Sequence, residues 1–167
     1  MVDKNIIIKT MKLKMNTDKF LRLECQGNSM YPFLRDRDQL KIVHNNEYKN
    51  GEIVAYEFNG EIIVHRIVDT INDKYIIIGD NIPLYDDVIE KEKIWGNVVC
   101  LKRNNKEINL MGFGYYTIVV MTFSYITLKI RCFWGKKNKF GILMCKVLHS
   151  IIHPIVKVIY YVEKIKQ

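Results

Sequence analysis

The stretch Glu52-Ile53-Val54-Ala55-Tyr56-Glu57-Phe58-Asn59-Gly60-Glu61-Ile62-Ile63-Val64-His65-Arg66-Ile67-Val68 decides the fold. Two runs rich in Ile and Val flank Asn59-Gly60, a pair that readily takes two successive positive φ angles and so closes a two-residue hairpin. Outward from this hairpin the β signals continue. Gln39-Leu40-Lys41-Ile42-Val43 alternates, with Asn45-Asn46 and Asn50-Gly51 as turn signals around a short polar loop. Phe20-Leu21-Arg22-Leu23-Glu24-Cys25 alternates apolar and polar side chains, as a half-buried strand does. Lys74-Tyr75-Ile76-Ile77-Ile78 ends at Gly79, and residues 94–102 hold Trp95 and Val98-Val99. Closely spaced β runs without an amphipathic helix between them predict a mainly β body, a coiled antiparallel sheet or small, partly open barrel, over residues 20–107.

Residues 1–19 read as an N-terminal arm, its Ile6-Ile7-Ile8 run either an edge strand or loosely docked, and too short for a secretory signal. Beyond residue 107 the composition changes. Residues 108–128 are 21 positions without a charge, long enough to span a bilayer at about 20 residues, although Asn109, Gly112 and Gly114 keep an interfacial or packed helix in competition. Lys129, Arg131, Lys136, Lys137 and Lys139 come next. Lys146, His149, His153 and Lys157 then fall on one helical stripe, read as a solvated face rather than a metal pair because no third ligand lies near, and Pro154 is expected to kink that helix.

Charge is divided the same way. Residues 1–128 hold 17 Lys+Arg and 17 Asp+Glu, and the rest hold 9 basic residues against Glu163. A neutral body with a basic, apolar, helical tail points to an anionic membrane surface or bilayer, or to a partner protein, as what residues 108–167 meet, and away from nucleic acid. If 108–128 spans, positive-inside logic puts the β body outside; export of that body with no signal is awkward, so the cytoplasmic side is favoured. Cys25, Cys100, Cys132 and Cys145 show no metal-ligand spacing and read as thiols of a reducing compartment, with a Cys25–Cys100 bridge open if the domain is exported; no metal or other cofactor is expected.

Gly27-Asn28-Ser29-Met30-Tyr31-Pro32 places a serine on a turn just past a strand end. Gly27 and Asn28 tolerate unusual backbone angles, and Pro32 stiffens the chain on the far side of the serine. A serine hydroxyl becomes a nucleophile when a positioned base takes its proton, and histidine does this near neutral pH. His65, on a strand face shared with Ile63 and Ile67, is the candidate base.

Three stretches together, the serine turn, Val64-His65-Arg66-Ile67-Val68, and Gly79-Asp80-Asn81 with Asp86 after it, resemble the signal peptidase I-like serine peptidases. That superfamily also includes the self-cleaving SOS-repressor domains. Gly51-Glu52-Ile53-Val54 and Ile94-Trp95-Gly96-Asn97-Val98 add weaker likeness, and the similarity covers residues 20–104, with departures at Arg37-Asp38 and Glu52. A histidine where many relatives carry lysine implies the Ser-His branch. The resemblance further implies that Asp80 and Asp86 lie near the site, one of them to hold the imidazole, with Asp87 one residue from the better match. Backbone N–H groups of the serine turn at Ser29 and Met30, assisted by the Asn28 side chain, are the expected oxyanion donors. The substrate is then an extended signal or leader peptide paired to a strand edge, with small residues before the cut. The rival readings are a silent peptide-binding module and a self-cleaving repressor; the latter needs a DNA-binding unit that residues 1–19 cannot house.

Overall fold

A computed structural model of the chain describes residues 4–82, 88–110, 114–134 and 138–165. The elements run α1 (Lys4–Asp18), β1 (Phe20–Glu24), β2 (Gln39–Val43), β3 (Ile53–Phe58), β4 (Glu61–Ile71), β5 (Lys74–Ile78), β6 (Val88–Glu90), β7 (Ile94–Arg103), β8 (Lys106–Asn109), α2 (Gly114–Trp134) and α3 (Lys139–Ile165). Among the described residues the eight strands form one antiparallel sheet in the order β1-β2-β7-β3-β4-β5-β6, with β8 paired to β7 and no closure into a barrel. The mainly β body and helical tail are thus as expected.

Asn-rich turns set the hairpins. Asn59 and Gly60 both have positive φ, and so do Asn72 with Asp73 between β4 and β5, and Asn104 with Asn105 between β7 and β8. Each pair supplies the two left-handed residues that a right-twisted hairpin needs. The last two turns extend β4 to Ile71 and create β8. The tail boundary expected at 107/108 therefore falls inside a strand, and the charge-free run is split: Ile108 and Asn109 finish β8, and the helix begins at Gly114 and takes in Lys129 and Arg131.

The N-terminal arm is a helix, not an edge strand. Ile8, Met11 and Met15 recur at three and four residues, and this stripe packs on the sheet with Met15 buried in the core. Lys12 pairs with Glu57 at 2.7 Å beside it.

One large cluster joins the sheet to both tail helices: Met30, Phe33, Leu34, Ile53, Trp95 and Leu101 with Tyr116 and Val120 of α2 and Val156 and Tyr160 of α3. A smaller one, Val54, Tyr56, Ile67, Tyr75, Ile77 and Ile89, lies within β3 to β6 and its flanks. α3 runs through Pro154 as one helix. Along its polar stripe Lys146 is exposed, whereas the other three residues are half-buried: His149 and His153 stack at 4.9 Å, and the Lys157 ammonium lies 5.0 Å from the Tyr31 ring. The solvated-face reading therefore holds at Lys146 and is corrected to half-buried at the other three, because α2 and the serine loop offer aromatic rings to those side chains. Leu143, Val147, Ile151, Ile155, Val158 and Val162 form the exposed face instead.

Candidate active site

Ser29 lies on the loop between β1 and β2, which is tied at both ends. Cys25 N–H donates to the Asp38 carbonyl (2.7 Å), Arg37 N–H to the Cys25 carbonyl (2.8 Å), and Gly27 N–H to the Asp36 carboxylate (2.9 Å). Gly27 sits at φ +83°, in the left-handed region where glycine is favoured. Within the loop, Tyr31 N–H donates to the Asn28 carbonyl and Leu34 N–H to the Met30 carbonyl. The chain around Ser29 is a fixed turn.

The Gly79-Asp80-Asn81 turn after β5 clasps this loop. Asn81 N–H donates to the Ser29 carbonyl at 2.7 Å, its side-chain amide donates to the Asn28 carbonyl at 2.9 Å, and Asp80 N–H reaches the Met30 sulfur at 3.3 Å. A Cβ built on Gly79 would stand 2.8 Å from the Ser29 carbonyl oxygen and 3.0 Å from His65 Nε2. The serine loop and the imidazole thus converge on one point, and the absent side chain of Gly79 is what lets them do so.

His65 lies opposite Val54 in the β3–β4 ladder and is 4% exposed. Its Nε2 edge faces Gly79, and its Nδ1 stands 3.4 Å from the Tyr56 hydroxyl. Ser29 and His65 line one cleft of about 460 Å³ with Leu23, Cys25, Gln26 and Ile82. Among the described residues, β1 pairs only with β2, and residues 61–65 of β4 have ladder partners only in β3, since pairing with β5 begins at Arg66. The cleft therefore lies between two strand edges.

Not every expected residue meets the imidazole. The Asp80 carboxylate is instead held by Arg66, Nε to Oδ1 at 2.8 Å and Nη2 to Oδ2 at 2.7 Å, and Oδ2 also accepts from the Tyr116 hydroxyl at 3.1 Å. Arg66 spends its remaining reach on the Gly51 carbonyl and lies 5.3 Å from the Phe33 ring. His65 and Arg66, being consecutive on a strand, point to opposite faces, so Asp80 serves the face away from the imidazole. Asp86 and Asp87 lie outside the described residues. Asn28 is exposed at the loop's tip, and Met30 is buried beneath it.

Tyr56 joins the site without having been expected there, and Asn81, expected only as part of its motif, is what ties the turn to the serine loop. Tyr56 was legible: the Asn59-Gly60 turn sets Val54 across from His65, which makes Tyr56 a diagonal neighbour. Tyr116 carried no signal, because it belongs to a segment marked only by its hydrophobicity. Cys25, at the cleft wall, has its thiol pKa pushed up to about 11, first by burial and then by the Asp38 and Asp36 carboxylates. All four cysteines are free thiols, and among the described residues no cluster of His, Cys, Asp and Glu is placed to hold a metal.

A loop serine and a strand histidine thus line one cleft in an open antiparallel sheet, and the comparison with known families gives the class, a serine peptidase family. The family model for Peptidase S24-like domains matches residues 3–99, and the chain belongs to that family. The match takes in Ser29, His65 and Asp80; α2 and α3 lie beyond it. No curated protein matches the chain.

Proposed function

We propose that the protein is a serine endopeptidase of the signal peptidase type, with Ser29 as nucleophile and His65 as general base. The observation that carries this is the convergence of the Ser29 loop and His65 Nε2 at Gly79, inside a cleft walled by two strand edges. An extended peptide laid between the end of β1 and residues 61–65 of β4 hydrogen-bonds to both edges and brings its scissile carbonyl to Ser29. The Ser29 hydroxyl oxygen bonds to that carbon while its proton passes to His65 Nε2, and the carbonyl oxygen becomes an oxyanion received by N–H groups of the Ser29 turn and the Asn28 amide. The imidazolium then protonates the leaving amine, the C–N bond breaks, and water hydrolyses the acyl-enzyme by the same base. An aspartate after Asp80, Asp86 by spacing, is the acid assigned to hold the imidazolium.

The proposed substrates are signal or leader peptides with small residues before the cut. Residues 108–167 hold the enzyme to an anionic membrane face, with the catalytic domain on the cytoplasmic side. The support is that α2 and α3 are each long and apolar enough to cross a membrane, and that the outer face of α3 is apolar among lysines. Incubating full-length protein with unstructured peptides, and following products and the enzyme's own intact mass by mass spectrometry, separates cleavage in trans from self-cleavage. Trans cleavage abolished by Ser29→Ala is expected; persistent cleavage in that variant overturns the assignment.

A further inference from the structure

The buried Asp80 carboxylate has a partner that the tail supplies. Tyr116 opens α2, is fully buried, donates its hydroxyl to Asp80 Oδ2 at 3.1 Å, and stacks on Phe33 with ring centroids 4.9 Å apart. Its own main-chain N–H is held at 3.0 Å by the Glu163 carboxylate at the end of α3, and Tyr160 lies edge-on to its ring at 5.8 Å. Both tail helices thus fix this one hydroxyl.

We propose that Tyr116 is a positioning residue for the Ser29–His65 site, so that docking of the tail helices sets the geometry of catalysis. The inference rests on the peptidase reading above. The connection runs through three residues. Tyr116 and Arg66 clamp the Asp80 side chain from one side. On the other side the same turn gives Asp80 N–H to the Met30 sulfur, Asn81 N–H to the Ser29 carbonyl, and the Asn81 amide to the Asn28 carbonyl. Gly79, the first residue of the turn, is the point on which Ser29 and His65 converge. Arg66 alone grips the carboxylate by its edge; the tyrosine hydroxyl fixes Oδ2 from a second direction and so removes the freedom of the turn to pivot about the ion pair. Misplacement of a nucleophile by about 1 Å costs up to about a hundredfold in rate without weakening substrate binding comparably. Tyr116 lies outside the residues that match the family model, so this brace belongs to the tail and not to the matched domain.

The test uses the full-length chain and Tyr116→Phe, which removes the hydroxyl and keeps the ring on Phe33. Peptide cleavage should lose about ten- to a hundredfold in kcat with KM nearly unchanged. Hydrogen exchange at the Asn81 amide should quicken by about fivefold, the loss expected for one hydrogen bond, with the β4–β5 amides unaltered. Thr127→Val is the comparison: it deletes another buried hydroxyl of α2, one that donates within its own helix to the Ser124 carbonyl at 2.8 Å, without touching Asp80 or Tyr116, and should leave both kcat and Asn81 exchange at wild-type values. Wild-type kcat and exchange in Tyr116→Phe would overturn the proposal, as would Thr127→Val reproducing both effects. Should Ser29→Ala retain cleavage, the peptidase reading falls separately, and exchange at Asn81 alone decides whether Tyr116 braces the turn.

Discussion

Gly79 is the residue on which the site's geometry turns. Its backbone approaches the Ser29 carbonyl and His65 Nε2 so closely that an added methyl group would press on both. Gly79→Ala should therefore cut cleavage by at least about tenfold while leaving the cooperative unfolding transition in place, measured as kcat beside a urea melt. The Arg66–Asp80 pair makes the opposite kind of prediction. Both side chains are buried, so Arg66→Met leaves a carboxylate in the interior with Tyr116 as its remaining side-chain partner, and should cost about 3–5 kcal/mol of stability by urea unfolding. Cys25 gives a pH test. A thiol pKa pushed up to about 11 leaves almost no thiolate at pH 8, so iodoacetamide should label exposed Cys132 well before Cys25, and Cys25 labelling should climb as pH rises toward 11. Equal rates at pH 8 would contradict the described environment. At this scale the sequence carried the serine and the histidine because their local turns and strands are self-announcing. It did not carry the partners of Asp80, because an ion pair between β4 and the turn after β5 and a tyrosine 36 residues away depend on packing, not on local pattern.

At the scale of elements, legibility tracks turn chemistry. Asn59-Gly60 announces a hairpin because glycine advertises positive φ, whereas Asn72-Asp73 and Asn104-Asn105 perform the same turn without glycine and give no such signal, and β8 is hidden with them. α1 is masked because three successive isoleucines favour a strand, while the stripe that packs is set by Ile8, Met11 and Met15. On α3 the periodicity is legible but its direction is not: which face turns inward depends on the rings of Phe123 and Tyr31 waiting there. The outward face gives a prediction. Ile151 and Ile155 are 63% and 54% exposed, and paired Ile151→Asp, Ile155→Asp substitutions should abolish sedimentation with vesicles rich in phosphatidylglycerol while cleavage of a soluble peptide persists. Undiminished sedimentation would mean that another face meets the lipid.

For the molecule as a whole, the tail is part of the domain. Tyr116, Val120, Val156 and Tyr160 share one cluster with Phe33 and Leu34 of the serine loop, and the Arg35 guanidinium donates to the Tyr161 hydroxyl at 3.1 Å. Composition revealed the division of charge and apolarity between the body and residues 108–167, but could not reveal that the two ends of the helical pair close over the back of the site. The order of strands was accessible only in part, since β7 serves β2, β3 and β8 at once, and pairings so distant in sequence leave no local trace. In the proposed mechanism Ser29 and His65 act as one device. Its most direct test is a double-mutant cycle on peptide cleavage by the full-length chain, with products followed by mass spectrometry. Ser29→Ala and His65→Ala are each expected to lower kcat/KM by about 10⁴-fold or more, and the double variant to be scarcely worse than either, as residues acting as a unit require. Near-wild-type cleavage by His65→Ala beside an inactive Ser29→Ala, or multiplying effects in the double variant, would contradict it.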